Sequence, residues 1–154
     1  MRVIAASLLM LVMVGCGGTS QKGVPSEYVR LTGNVTYNDQ PVPGVTLQFV
    51  PDGGAQGMGV GGYAYSDQDG EYFAKYRGET NGLPPGRYRV SFLLYAMPNG
   101  DPLPSGMSPT DAGAVQSLPE KYTNDGTSGV TVEVLDEPTV KDFKLSGPAF
   151  GKKK

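Results

Sequence analysis

Gly86-Arg87-Tyr88-Arg89-Val90-Ser91-Phe92-Leu93-Leu94 decides the fold. In an extended chain Tyr88, Val90, Phe92 and Leu94 fall on one side, and Arg87, Arg89 and Ser91 fall on the other. A period of two carried by β-branched and aromatic residues marks a strand with one buried and one wet face. The same pattern recurs outward in both directions. Upstream, Leu31, Gly33, Val35 and Tyr37 alternate with Thr32, Asn34 and Thr36, and Val45, Leu47 and Phe49 alternate with Thr46 and Gln48. Tyr63 to Ser66 and Glu71 to Tyr76 read as a hairpin about the tight turn Asp67-Gln68-Asp69-Gly70. Downstream, Val130, Val132 and Val134 surround Thr131 and Glu133, and Phe143 and Leu145 flank Lys144. Seven short runs at this spacing predict an all-β, seven-stranded sandwich.

Turn chemistry separates the runs. Asn38-Asp39-Gln40-Pro41, the Gly-rich stretch from Pro51 to Gly62, and Leu83-Pro84-Pro85-Gly86 all read as breaks. The 23 Gly and 13 Pro of this 154-residue chain are therefore punctuation rather than disorder. One interruption is long. From Leu94 to Leu118 the chain carries Pro98, Gly100, Pro102, Pro104, Gly106, Pro109 and Gly113. Residues 95–118 are expected to form a loop, with a short helix near Ser108–Gln116 as an option. Loops of this length tend to be functional or mobile, and the plainer alternative is a decorative insertion. Glu120-Lys121-Tyr122 reads as the polar re-entry into the last hairpin, with Pro119 setting the turn.

Composition removes whole classes of chemistry. With no His, there is no Ser-His-Asp triad, no Cys-His pair and no His-ligated metal. With 13 Lys+Arg against 15 Asp+Glu, the charge gives no footprint for nucleic acid. The single cysteine, Cys16, allows no intrachain disulfide.

The first sixteen residues account for that cysteine. Met1-Arg2 is a basic start, Val3 to Val14 is apolar apart from Ser7, and Gly15-Cys16 follows. A basic start, a short apolar core and a small residue at the cut describe a signal peptide over residues 1–15, and the run is too short to span a bilayer. Met13-Val14-Gly15-Cys16 resembles the bacterial lipobox, with Met13 where Leu is usual. That resemblance implies cleavage before Cys16, lipid on its sulfur, and an exported chain anchored to the cell membrane or outer membrane, facing periplasm or exterior. Gly17 after the cysteine resembles the outer-membrane sorting pattern. Residues 16–27 then read as a flexible tether, residues 28–146 as the sandwich, and residues 147–154 as a basic tail expected to fray, with weak attraction to anionic polymer or lipid as the alternative.

Three stretches of the body also resemble a known module. "LTGNVTYNDQPVPGVTLQFVP" (31–51), "SDQDGEY" (66–72) and "GLPPGRYRVSF" (82–92) are similar, in order, to carboxypeptidase-regulatory-like domains. "LPEKYTNDGTSGVTVEV" (118–134) resembles the ending of small bacterial lipoproteins that carry one such domain. The resemblance implies a transthyretin-like or prealbumin-like Greek-key sandwich, related to the immunoglobulin-like folds, with no shared catalytic residues. The one hydrolase among these relatives depends on His, which this chain lacks.

Candidate sites are few. Cys16 is the lipid attachment point. Asp67 and Asp69, with Glu71, could form a weak Ca²⁺ loop, but the bidentate Glu of an EF-hand is replaced by Gly78, and Asp and Gly are also ordinary turn residues. Tyr63, Tyr65 and Tyr95 could form an aromatic platform for sugar rings. These tyrosines, like Tyr72, Tyr76 and Tyr88, are equally suited to core or rim positions. Glu120 and Glu133 could in principle act as paired carboxylates, with nothing in the sequence to place them in a cleft. The expectation is a lipid-anchored, non-catalytic envelope module, with a carbohydrate-binding lipoprotein as the alternative. Its expected partners are the membrane, through lipid at Cys16, and an envelope protein or polysaccharide. No nucleic acid, cofactor or metal is expected, and a monomer is expected.

Overall fold

The computed structural model describes residues 28–53, 61–77 and 80–150. Thirteen strands follow in order: β1 (Leu31–Tyr37), β2 (Gln40–Pro41), β3 (Thr46–Pro51), β4 (Gly62–Tyr65), β5 (Glu71–Phe73), β6 (Lys75–Tyr76), β7 (Thr80–Asn81), β8 (Gly86–Leu93), β9 (Tyr95–Ala96), β10 (Val115–Gln116), β11 (Thr131–Val134), β12 (Thr139–Val140) and β13 (Phe143–Leu145). All seven predicted runs are strands or contain them. They form a β-sandwich.

The second sheet runs β11-β8-β3-β4-β6-β7. Its centre, β8-β3-β4-β6, has Greek-key order: β3, β4 and β6 follow in chain order, with β5 crossing to the first sheet between the last two, and β8 returns beside β3. In the first sheet β1 is the spine. One edge pairs antiparallel with β5, through Thr32–Asn34, and with β2, through Thr36 and Tyr37. Its opposite edge pairs in parallel with β12 and β13. Between those two short strands Asp142 fills the gap in the ladder, its Oδ1 accepting the Asn34 N–H at 2.9 Å.

Alternation along the strands carries the inward residues to one core. Leu31 and Val35 from β1, Leu47 and Phe49 from β3, Val90 and Phe92 from β8, and Phe143 and Leu145 from β13 are all buried. Burial of such side chains is the main favourable term in folding, roughly 1.5–3 kcal/mol for each large one. Ser66 is polar and buried, and its hydroxyl is fully used: it accepts from Val45 N at 2.9 Å and donates to Val42 O at 2.7 Å. Ser91, on the outward side of β8, is also buried rather than wet.

Several sequence expectations need correction. The return strand Glu71–Tyr76 breaks at the buried Ala74: β5 joins the first sheet and β6 the second. A strand that serves two sheets must turn its hydrogen-bonding edge, and a small residue at the crossing allows this. Asn38 and Asp39, with φ of 50° and 64°, make a two-residue turn, so Gln40–Pro41 already pairs back on β1. Leu83 lies in the core, bridged to Val29, rather than in an exposed turn. Near Ser108–Gln116 there is one turn, closed by Ala112 N to Ser108 O at 3.0 Å, and no helix; Pro109 and Gly113 stop it from extending. Glu120–Tyr122 is a 3₁₀ turn that buries Tyr122 edge-on against Phe92. The tail does not fray over its first part: Gly147 exchanges two hydrogen bonds with the Asn38 side chain, Pro148 O accepts from the Tyr37 hydroxyl at 2.7 Å, and Phe150 stacks on Tyr37 at 4.5 Å. Residues 151–154 lie outside the described residues.

Two buried phenols tie stability to alkaline pH. The Tyr88 hydroxyl donates to Pro84 O at 2.7 Å, and burial, helped by Tyr76, pushes its pKa up to about 12. Burial, then the Asp142 carboxylate, raises that of Tyr72 as well. A phenol that ionises near its ordinary 10 when unfolded, and later when folded, stabilises the fold fully below pH 10 and loses that contribution as pH climbs toward 12. The melting temperature should therefore drop most steeply between pH 10 and 12, together with a rise in tyrosinate absorbance. A melting temperature that stays level across that window would contradict the burial of these hydroxyls.

Candidate functional site

The outward face of the first sheet brings charged, polar and aromatic side chains together. Arg30 immediately precedes β1, and Thr32 and Asn34 lie on it. The register sets Phe73 and Val140 on either side of Thr32, and Glu71 beside Asn34. Because β1 alternates, these side chains point away from the core that holds Leu31 and Val35. Tyr65 comes from the other sheet. Ser66 bridges Tyr72 across the turn, which places Tyr65 opposite Phe73. Together they line an open basin of about 550 Å³. The Arg30 guanidinium sits over the Phe73 ring at 5.5 Å from its centroid.

Asp67 belongs to the wall of this basin, with one carboxylate oxygen occupied. Oδ1 accepts from Asp69 N at 3.0 Å and from Glu71 N at 2.9 Å, the Asx geometry of an ordinary turn. Gly70, with φ of 77°, closes it. Asp69 is exposed. Among the described residues no group of three or more acidic or thiol side chains gathers as metal ligands would.

The three tyrosines of the expected platform are not gathered in this basin. Tyr65 lines it and is 69 % exposed. Tyr63 lies two residues earlier on β4, half-buried, opposite Gln48 and Lys75. Tyr95 lies on β9, past the end of β8, opposite Gln116. Sequence reasoning missed Arg30, Asn34 and Phe73, whose proximity follows from strand pairing rather than from spacing. Glu120 and Glu133 are both exposed and sit on separate elements, the 3₁₀ turn and β11.

The long excursion is anchored at its base. β9 and β10 pair, and Gln116 Oε1 accepts from both Leu94 N at 2.9 Å and Leu118 N at 3.1 Å. Leu118 is buried. Between this base and the docked tail runs a smaller groove of about 300 Å³, lined by Met97, Val115, Leu118, Pro119 and Phe150. On the outer face of the second sheet Arg89 joins Asp125 at 3.1 Å and, with Arg87, approaches Asp52. These half-exposed pairs contribute little to stability. Cys16 lies outside the described residues. No helix among the described residues is long and apolar enough to cross a membrane.

No family model matches the chain. No curated protein matches it either. Among solved structures it is similar to a 9R-lipoxygenase from Cyanothece PCC8801, at 15 % identity and a TM-score of 0.35. That likeness covers 81 % of this chain, which spans 17 % of the length of the lipoxygenase. At so low a TM-score it carries no argument about fold or activity.

Proposed function

We propose that this chain is a lipid-anchored, non-catalytic interaction module of the bacterial cell envelope. The observation that carries the reading is Met13-Val14-Gly15-Cys16 at the end of an apolar run, with Cys16 the one thiol of the chain. A diacylglyceryl thioether on that sulfur would hold the protein at a membrane, since each buried acyl CH₂ contributes ~0.8 kcal/mol. In this reading residues 16–27 serve as the tether. The β-sandwich with its Greek-key sheet supports placing the body among carboxypeptidase-regulatory-like domains, which serve as accessory modules. Fold alone assigns no partner.

The mature protein taken from membranes, wild type and Cys16→Ala, tests this reading by intact mass. A chain that begins at Cys16 and carries acyl mass is expected for wild type. The variant should lose both the added mass and membrane retention. An unmodified wild-type chain found free in the periplasm or medium would overturn the reading.

A further inference from the structure

We infer that the basin on the outer face of the first sheet binds a neutral pyranose ring of an oligosaccharide. The inference rests on the envelope reading above, which brings surface and wall glycans within reach of the domain.

The chemistry of the basin selects this class. A sugar ring is amphipathic: its C–H faces pack on aromatic rings, and its edge of hydroxyls donates and accepts hydrogen bonds. The basin offers both. Tyr65, mostly exposed, and Phe73, half-buried, supply aromatic surface on one flank. Val140, 74 % exposed, supplies apolar surface on the opposite flank of Thr32. Thr32, Asn34 and Glu71 stand between or beside them with hydroxyl, amide and carboxylate groups. The Arg30 guanidinium, over the Phe73 ring, presents its N–H fork at the same surface. A guanidinium and a carboxylate are each able to bridge two neighbouring hydroxyls.

Other ligand classes fit less well. Arg30 is outnumbered by Glu71 and Asp67 in the lining, so the basin has no positive excess to hold a phosphate polymer. A peptide strand would need a free backbone edge. The floor offers none along β1, because Leu31–Asn34 lies between β5 on one side and β12 with Asp142 on the other. Recognition therefore falls to side chains. A volume of about 550 Å³ lies within the usual range for small-ligand sites.

The test is calorimetric titration of the full-length protein in detergent with maltohexaose, cellohexaose and chitohexaose. At least one should bind. Tyr65→Ala should weaken that binding roughly tenfold, the value of one aromatic contact, and Asn34→Ala and Glu71→Gln should weaken it as well. Tyr95→Ala should leave it unchanged. Tyr65 and Asn34 are exposed, so these variants keep the fold, and a circular dichroism spectrum checks that they do. Failure of all three sugars to bind, or binding that Tyr65→Ala leaves intact, would overturn the inference. Running Cys16→Ala alongside reads anchorage and sugar binding separately.

Discussion

Gly33→Val should destabilise the domain by about 4 kcal/mol, at the severe end for a single substitution. A Cβ at this position would lie 1.9 Å from Lys141 O and 2.5 Å from its carbonyl carbon. The obstacle is backbone, so no side chain can swing aside to relieve it. Nor can Lys141 retreat cheaply. Its N–H donates to Thr32 O at 2.8 Å, and its carbonyl accepts from the Tyr72 hydroxyl at 2.7 Å. Making room means peeling β12 and the start of β13 from β1 and leaving a buried phenol unpartnered. With φ of 158°, valine would also strain the backbone. Urea unfolding followed by circular dichroism measures the cost. A midpoint equal to that of wild type would show that Lys141 does not pack over Gly33.

Phe92→Ala should cost roughly 3–5 kcal/mol, as for other buried phenylalanines. Phe92 is fully buried, and three elements meet at its ring. It extends from β8 in the second sheet, meets Phe143 of the first sheet at 5.2 Å and 71°, and meets Tyr122 of the 3₁₀ turn at 6.3 Å and 84°. Edge-to-face pairs of this kind add about 0.5–1.5 kcal/mol each beyond the area they bury. Truncation removes both pairs and leaves a cavity between the two sheets, where neither layer can collapse without losing its own strand pairing. Leu135→Ala, at a position 50 % exposed, serves as the comparison and should change stability by less than about 0.5 kcal/mol. Equal unfolding midpoints for the two variants would contradict the place given to Phe92.

The strands were legible because each carries its own evidence. Val90 and Phe92 against Arg89, or Leu47 and Phe49 against Gln48, announce a buried face without reference to any other part of the chain. Pairing is different. Nothing near Val35 signals that Phe143 will lie beside it, since that partnership is settled by which arrangement closes the core. For the same reason the division of Glu71–Tyr76 between two sheets was hidden: Ala74 looks like any small residue in a strand. Tyr122 and Leu83 were misread because polar or Pro-rich neighbours masked single inward side chains. The docked tail depends on Asn38 and Tyr37, more than a hundred residues upstream. The basin shows the same division. Tyr65 could be picked out as a strand tyrosine, whereas Arg30, Asn34 and Phe73 join it only through register.

The parallel pairing of β1 with β13 also sets how the domain bears force. A pull on the residues that precede β1 acts on its N-terminal end, and resistance on the residues that follow β13 acts on its C-terminal end. Because the strands run in the same direction, these two forces slide one past the other. The rungs between Val35–Tyr37 and Phe143–Leu145 are then loaded together, in shear. An antiparallel pair gripped in the same way would unzip rung by rung. Traction along the chain thus meets the fold in its stiff direction.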